Sequence, residues 1–335
     1  MSKNQSKATI FDVARLAGVS KSTVSRVLNA RDYISPETVK RVQDAIDKLN
    51  YVPQASARGL VNQRTNNLGL VLNDLHTLFT PPLLAGIDEC SRASGYNLLV
   101  SAVGHLFDNA GSLTLGPHNT DGILAYADCF SDAQLVRFYQ QDFPVVLIHR
   151  NSPKDTQIPT INAENRNATR SVIEHLIQVH GRRRILLLRG PEYQQDSLER
   201  EAGYFQALKE NNIAVDPTLI AFGGFSKEIA GQTIGQLHSQ GVRFDAVFAG
   251  DDIAAIGAIR KLQELGYHIP QDIAVVGFDD NYFSPDIDPR LTTVRVPFDE
   301  IGREAVRTLL ELIEKGTASS RVFPTEVIFR HSCGC

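Results

Sequence analysis

The sequence predicts an α/β protein with a small helical head at its N-terminus and a larger body of two doubly wound parallel-sheet lobes. The first observation is length, because 335 residues exceed the size at which a single hydrophobic core keeps growing. The second is the alternation of apolar runs with helical stretches after residue 66, which occurs in two sets and indicates parallel sheets covered by helices. The third is a series of three short helical patterns between residues 8 and 50.

The composition is that of an ordinary globular protein, with 42% hydrophobic and 21% charged residues. The first residues, "MSKNQSKAT", lack the apolar segment of a signal peptide, and no run approaches the roughly 18 apolar residues of a membrane span. Four cysteines without an export signal do not indicate a disulfide framework. We therefore expect a cytoplasmic protein with no membrane partner.

Charge is distributed unevenly between the head and the body. Residues 1–64 hold eleven of the 34 lysines and arginines but only five of the 38 acidic residues, a net charge of +6. The remaining residues carry a net charge of −10, so the net charge of the whole chain is −4. A basic head on an acidic body suggests that the head binds a polyanion.

The head shows start and stop signals for three helices. Thr9, with Asp12 three residues later, resembles a capping box before the first apolar pattern, and Gly18 is placed to end that helix. Ser20 is placed to cap a second helix, and Ser35, followed by proline and glutamate, a third. Three short helices with a glycine-containing turn between the first two indicate a helix-turn-helix.

In a helix-turn-helix the second helix enters the major groove of DNA. Its first residues then meet base edges, and here these are Lys21, Ser22, Ser25 and Arg26. The plainer alternative is a small helical bundle with a solvated polar face. Further hydroxyl, amide and phenol groups of the head are candidates for phosphate contacts: Thr9, Thr23, Asn29, Ser35 and Tyr51.

Several separated motifs are similar to those of the lactose/galactose repressor (LacI/GalR) family. In chain order they are "TIFDVARLAGVSKSTVSRVLN", "ISPET", "LNYVPQASARGL", "VVGFDD" and "LTTVRVP", and the resemblance runs from about Ala8 to Ser332. It implies a DNA-binding headpiece over 1–50, in which Ser20 also belongs to the DNA-binding set. It also implies a hinge over 51–65 whose Leu60, flanked by Ala57, enters the minor groove as an apolar wedge.

The resemblance also implies that the body, 66–335, is similar to periplasmic sugar-binding proteins and binds an effector between its lobes. The first lobe is expected over about 66–162 and 290–322, and the second over about 163–289 and 323–335. Ligands of doubly wound sheets bind at the carboxyl ends of strands. Residues that end strands here, together with positions that match the family's effector contacts, form the candidate set: Asn73, Phe79, His149, Arg150, Arg200, Phe225, Asp251 and Asp279.

Some of these residues have other plausible roles. Arg150 can pair with an acidic neighbour, and Phe79 and Phe225 can be core aromatics. Asp252 and Asp280 are expected to cap helices that follow them, rather than to contact a ligand.

The chain departs from the family pattern at several places. Asp251 stands where the family usually has asparagine, which favours a neutral or amine-bearing effector over an acid. His149 replaces a frequent acid, Val296 replaces a frequent polar residue, and the segment 104–122 is not expected to form the family's regular helix. No leucine heptad follows the body, so a homodimer is expected without the tetramer-forming tail of some relatives.

The chain ends "RHSCGC". Cys333 and Cys335 supply only two metal ligands, which is not a complete site, so a frayed strand end is expected. No catalytic residue, resident metal or cofactor is predicted.

The sequence therefore predicts a dimeric repressor that binds double-stranded DNA at a pseudo-palindromic operator under the control of a small effector, most simply a sugar or glycoside. A nucleoside, a purine or a protein co-regulator remains an alternative signal. A cytoplasmic sugar-binding protein would explain the body but not the head. An enzyme is disfavoured because the chain has no P-loop, no GxSxG elbow and no GxGxxG motif.

Overall fold

The computed structural model describes residues 8–28, 34–51, 64–104 and 114–335. It divides into two compact units, Met1–Thr65 and Asn66–Cys335. Three of the predicted contact residues, Asn29, Ala57 and Leu60, lie outside the described residues. Among the described helices, none combines the length and apolar character needed to cross a membrane.

The head contains the three predicted helices, α1 (Ile10–Ala17), α2 (Lys21–Leu28) and α3 (Pro36–Leu49). The capping box is confirmed, because Asp12 N–H donates to Thr9 Oγ1 and Thr9 N–H donates to Asp12 Oδ2 at 2.9 Å. Gly18 ends α1 with φ of 67°, a left-handed conformation that glycine adopts without steric cost.

One valine from each helix forms the centre of the head. Val13 of α1, Val24 of α2 and Val42 of α3 are fully buried and pack in a single cluster. These positions belong to the apolar stripes visible in the sequence, so the three helices fold around one small core.

The first lobe is a parallel sheet of six strands in the order β11-β5-β4-β3-β1-β2. Helices α4 (Thr80–Ala93) and α10 (Phe298–Lys315) pack closely: a Cβ at Gly86 would lie 2.0 Å from the carbonyl oxygen of Asp299. Helix α5 (Asp132–Gln140) packs against β4. The strands are β1 (Asn67–Leu72), β2 (Asn97–Ala102), β3 (Gly122–Tyr126), β4 (Val145–Ile148), β5 (Thr160–Ala163) and β11 (Arg321–Phe323).

The second lobe is a parallel sheet of four strands in the order β7-β6-β8-β9. Its strands are β6 (Ile185–Arg189), β7 (Ile220–Phe222), β8 (Ala246–Ala249) and β9 (Ala274–Val276). Its helices are α6 (Arg166–Gln178), α7 (Gln195–Glu210), α8 (Lys227–Ser239) and α9 (Asp252–Glu264). The two doubly wound parallel sheets confirm the predicted fold class.

A short antiparallel ribbon lies where the chain passes between the lobes. Strand β10 (Thr293–Arg295) pairs with β12 (Glu326–Ile328), with Val294 opposite Val327. The chain therefore changes lobe after β5, around β10, and between β11 and β12.

The expectation of a frayed C-terminus is wrong. The last residues form a 3-10 turn, His331–Cys333, in which Ser332 and Cys333 are fully buried. Ser332 Oγ donates to the carbonyl oxygen of Val275 at 2.6 Å and accepts from Thr292 N–H at 2.8 Å. These buried hydrogen bonds hold the end of the chain against β9, an interaction between distant parts of the sequence.

Candidate functional site

The head presents one polar face at the start of α2. Lys21, Ser22 and Arg26 are exposed there, and Ser25 is half-buried. Lys21 Nζ lies 4.9 Å from the centre of the Phe11 ring, a cation–π contact with an exposed aromatic side chain. The four residues predicted to reach base edges are thus all accessible at least in part.

Several predicted phosphate contacts also cap helices. Ser20 Oγ accepts from Thr23 N–H at 3.1 Å, and Ser35 Oγ accepts from Thr38 N–H at 3.4 Å. Thr9 and Ser35 are exposed, whereas Tyr51 is half-buried against the head core. Helix N-termini carry partial positive charge and are suited to phosphate, so capping and phosphate contact are compatible roles.

A cavity of about 390 Å³ lies in the body at the carboxyl ends of strands from both lobes. The first lobe contributes residues that follow β1, β3 and β4, and the second contributes residues that follow β7, β8 and β9. Predicted residues that line it are Asn73, Phe79, His149, Arg200, Phe225, Asp251 and Asp279. We call this cavity the cleft.

Arg200 organises the second-lobe side of the cleft from a buried position on α7. Its Nε donates to Asn165 Oδ1 at 2.8 Å, and Nη1 donates to the carbonyl oxygen of Gly250 at 2.5 Å. Nη2 donates to Asp279 Oδ1 at 3.2 Å, and the guanidinium lies 3.8 Å from the centre of the Phe278 ring. With three of its donor groups engaged, Arg200 fixes the orientation of Asp279.

Two cleft carboxyl groups have raised pKa values. Burial, followed by the nearby charge of Asp279, raises the pKa of Asp251 to about 7. Burial also raises the pKa of Asp279 to about 6, although Arg200 opposes that shift. Asp251 is also the N-cap of α9, since its Oδ1 accepts from Ala254 N–H at 2.8 Å.

His149 pairs with a carboxylate that the sequence did not predict. Its Nδ1 lies 2.7 Å from Asp196 Oδ2, and Asp196 Oδ1 accepts from Asn165 Nδ2 at 2.8 Å. Burial opposes ionisation of Asp196 most strongly, but the combined effect of His149, Arg200 and Asn165 lowers its pKa. His149 Nε2 is buried without a hydrogen-bond partner among the described residues.

Aromatic rings form two walls of the cleft. Phe79 stacks on Tyr126 with centroids 4.7 Å apart and on Phe298 at 5.4 Å. In the second lobe, Phe225 lies so close to Gly190 that a Cβ there would come within 2.2 Å of the ring. Glycine at position 190 is therefore needed to seat Phe225.

Four cleft residues other than glycine have left-handed backbone conformations. They are Ala127, His149, Phe225 and Asp279, with φ of 46°, 57°, 51° and 107°. Such conformations are uncommon for residues with a Cβ and concentrate at functional sites.

Asn73 offers an acceptor at the first-lobe side. Its Nδ2 donates to Asp128 Oδ1 at 2.8 Å, while Asn73 Oδ1 and Asp128 Oδ2 are buried with no hydrogen-bond partner among the described residues. Buried polar atoms of this kind usually meet a ligand or water.

The structure does not bring Arg150 to the cleft with the others. Its Nη1 donates to the carbonyl oxygens of Phe130 and, at 3.4 Å, Ala127, and its Nη2 pairs with Asp132. It lines an adjoining cavity of about 490 Å³ instead. The Arg150 side chain therefore points toward the start of α5, away from the cleft.

The expected capping roles of Asp252 and Asp280 are wrong. Asp251 caps α9, and Asp252 is fully buried beneath it, where its carboxylate accepts from Asn281 N–H, Ser284 Oγ and Thr293 Oγ1. Asp280 precedes turns rather than a helix and pairs with Arg295 at 2.8 Å and Arg330 at 2.6 Å. Both carboxylates tie the turn after β9 to the crossing ribbon.

Sequence reasoning missed Tyr126, Asp196 and Phe298 as cleft residues. Tyr126 stands in the apolar run "DGILAYA" and was detectable as the end of a strand. Asp196 and Phe298 start helices, and only the packing of those helices brings them to the cleft.

Comparisons with known proteins agree on both units. The family described as "Bacterial regulatory proteins, lacI family" matches residues 9–54, and the periplasmic binding protein-like domain matches residues 173–333. Catabolite control protein A of Priestia megaterium is 30% identical over 334 residues, covering 97% of this chain and 98% of its own. The transcriptional regulator CelR of Thermobifida fusca is 32% identical over 336 residues, covering 97% of this chain and 98% of its own.

Solved structures are similar over nearly the whole chain. The complex of the transcriptional regulator CelR with cellobiose matches with a TM-score of 0.72 and 29% identity, covering 97% of this chain and 99% of that one. The lac repressor dimer bound to operator and the anti-inducer ONPF matches with a TM-score of 0.83 and 26% identity, covering 98% of this chain and 99% of that one.

Proposed function

Because the chain belongs to the LacI family of bacterial transcription regulators, we propose that it is a repressor controlled by a neutral, polyhydroxylated effector bound in the cleft. The DNA-binding regulatory function itself follows from membership of the family. The proposal concerns the chemical class of the effector, the homodimeric assembly, and the residues that contact the effector and the DNA.

The charge of the cleft is the observation that carries this proposal. Among the described residues, four carboxyl groups line it, those of Asp74, Asp196, Asp251 and Asp279, and the one arginine, Arg200, is already bound by protein groups. An anionic effector would meet repulsion, whereas sugar hydroxyls can donate to the carboxylates and to the unpaired Asn73 Oδ1. The aromatic walls suit the apolar faces of a sugar ring.

The cleft has room for a small glycoside, since its volume of about 390 Å³ lies within the range of ordinary ligand pockets. The similar CelR structure holds cellobiose. A nucleoside or purine is the second candidate, because the cleft is lined by the aromatic side chains of Phe79, Tyr126 and Phe298, on which a planar base could stack.

For DNA binding we propose a homodimer in the cytoplasm whose two heads bind a pseudo-palindromic operator. Lys21, Ser22, Ser25 and Arg26 would reach base edges, and Leu60 would enter the minor groove. The remaining members of the set would bind phosphates or line the hinge: Thr9, Ser20, Thr23, Asn29, Ser35, Tyr51 and Ala57. We assign no catalytic residue.

The test is thermal unfolding of the full chain with a panel of sugars, glycosides, sugar phosphates, nucleosides and purines. A ligand at about one hundred times its Kd adds roughly 2.7 kcal/mol, which is a Tm shift of a few degrees. We expect a neutral sugar or glycoside to shift Tm in the parent and in Asp272→Asn, an exposed control, but not in Asp279→Asn. Shifts only with sugar phosphates would contradict the proposal.

A compound that shifts Tm is then added to the protein on an operator selected from random DNA. A change in operator affinity, with no change in affinity for random DNA, would support an effector role. A nucleoside as the only active compound would favour the second candidate. The absence of a response to every compound would contradict the proposal and favour a protein co-regulator.

A further inference from the structure

Four potential metal ligands from distant parts of the chain meet at the C-terminal end of α6. His175 lies in the last turn of α6, His180 follows the helix, and Cys333 and Cys335 lie in the final turn of the chain. Their nearest ligand atoms all lie within 4.8 Å of one another. This cluster, which we call the C-terminal cluster, shares no residue with the cleft.

The distances within the cluster match those between the ligands of a single ion. His175 Nε2 lies 3.1 Å from His180 Nε2 and 3.2 Å from Cys335 Sγ, and His180 Nε2 lies 3.5 Å from that sulfur. Tetrahedral zinc, with bonds of about 2.0–2.1 Å to nitrogen and about 2.3 Å to sulfur, places its ligand atoms about 3.3–3.8 Å apart. Small side-chain rotations are therefore enough to bring the ligands onto one ion.

The final turn has the backbone that such a site needs. Gly334, between the two cysteines, has φ of 113°, and a Cβ there would lie 3.1 Å from His180 Nδ1. Only glycine fits that position without strain, and it lets the turn sit against the imidazole. Cys333 is fixed by Thr292 Oγ1, which donates to its sulfur at 3.1 Å.

We propose that the C-terminal cluster binds one Zn²⁺ through His175, His180, Cys333 and Cys335. Two thiolates and two imidazoles form a tetrahedral set that zinc prefers. The ion joins α6 to the end of the chain, and so clamps the segment that follows β12 onto the second lobe. The site is structural, because all four coordination positions are filled by protein.

Zinc binding changes the protonation of the ligands. Cysteine ligates zinc as a thiolate, so the ion displaces the thiol protons of both cysteines and releases them to the solvent.

The full-length protein, kept reduced, is stripped with a chelator and titrated with ZnCl₂ against a chromophoric competitor. We expect one zinc per chain, a higher Tm on binding, and a tetrahedral Co²⁺ spectrum with thiolate charge-transfer bands when Co²⁺ replaces zinc. Cys335→Ser and His180→Gln should each raise the Kd for zinc by about a hundredfold or more.

Two variants provide matched controls. His331→Gln changes an exposed histidine of the same turn that is outside the cluster, and Cys90→Ser changes a free cysteine of the first lobe. Both should keep one tightly bound zinc per chain. Cys335→Ser removes a sulfur from an exposed residue, so the variant should fold and its zinc affinity remains measurable.

Four results would overturn the proposal. They are a reduced protein that takes up no zinc, a zinc affinity unchanged in both Cys335→Ser and His180→Gln, a Co²⁺ spectrum without thiolate bands, and a disulfide between Cys333 and Cys335 that persists in reductant and so removes both thiolates.

Discussion

The head and the cleft place their functional residues in different ways. In the head, every described contact candidate lies between Thr9 and Tyr51, and α2 alone carries five of them. In the cleft, the lining residues run from Asn73 to Phe298 and come from both sheets. The first site is a property of one local motif, whereas the second exists only after two lobes have folded.

The head and the cleft also differ in the interactions that stabilise them. The head depends on side-chain caps and a few buried valines, and each of these contributes about 1 kcal/mol to a few kcal/mol. The cleft holds buried charged groups whose partners are far apart in sequence, so the removal of one leaves others uncompensated. Substitutions in the two regions should therefore differ in size and in what they affect.

The largest expected effect is that of Arg200→Ala. Its loss leaves the buried carboxylate of Asp279 and the side chain of Asn165 without their partner, at a cost of about 3–5 kcal/mol in the unfolding free energy of the body. Denaturant unfolding should show this loss, and effector binding should disappear with it.

Arg92→Ala is the control for this change. Arg92 pairs with Asp88 on the surface of α4, where its side chain is 75% exposed and the pair is screened by solvent, so the unfolding free energy should change little. A similarly small loss for Arg200→Ala would contradict the view that the buried charges hold the cleft together.

The next effect is the pH dependence caused by Asp251. Its pKa is about 7 in the folded protein and 3.8 ordinarily, so the folded state binds the extra proton between these values. The unfolding free energy should then fall as pH rises from 4 to 7, by on the order of 3 kcal/mol, and level off above pH 7.

Asp251→Asn should reduce this slope to the part that Asp279, with its pKa raised to about 6, contributes, and the variant should be more stable than the parent at pH 8, because asparagine keeps the N-cap without the buried charge. Asp216→Asn is the control, since Asp216 also caps a short helix but has a lowered pKa, owing chiefly to its hydrogen bond with the Thr218 side chain. The measurement is the unfolding free energy of the three proteins from pH 4 to 8. An unchanged slope in Asp251→Asn would refute the assignment of this pH dependence to Asp251.

The difference between local and long-range contacts explains which features of the structure the sequence alone could predict. Caps at Thr9, Ser20 and Ser35 depend on neighbours three residues away, so they could be identified from the chain directly. The strand ends were also predictable, because parallel sheets direct them to one edge.

What the sequence could not predict was which side chain at a strand end turns inward. His149 and Arg150 are adjacent, but only His149 lines the cleft, while Arg150 binds the carbonyl oxygen of Phe130 and the carboxylate of Asp132. Asp251 both caps α9 and lines the cleft, whereas Asp252, which was expected to cap, is buried beneath that helix. The C-terminal cluster depends on contacts across 160 residues, and no local pattern indicates them.

In the head the largest effect should be on recognition rather than stability. Arg26→Ala should weaken binding to the selected operator by about 1–3 kcal/mol and binding to random DNA far less, because a base contact is lost. Lys48→Ala, an exposed basic residue of α3 outside the predicted set, is the control and should leave the operator preference unchanged. Equal losses on both DNAs would reduce Arg26 to a phosphate contact.

The smallest effect separates the two roles of Thr9. Thr9→Ala removes the capping box of α1, so the unfolding free energy of the head should fall by about 1 kcal/mol while the body is unaffected. Thr9→Ser keeps the hydroxyl and should restore both the cap and DNA binding. Circular dichroism of the head transition and operator titrations at several salt concentrations distinguish the roles, because a lost phosphate contact lowers affinity on all DNA. If Thr9→Ala lowers head stability but leaves DNA affinity intact once the head is folded, Thr9 acts only as a cap, and the local motif is structural at that residue.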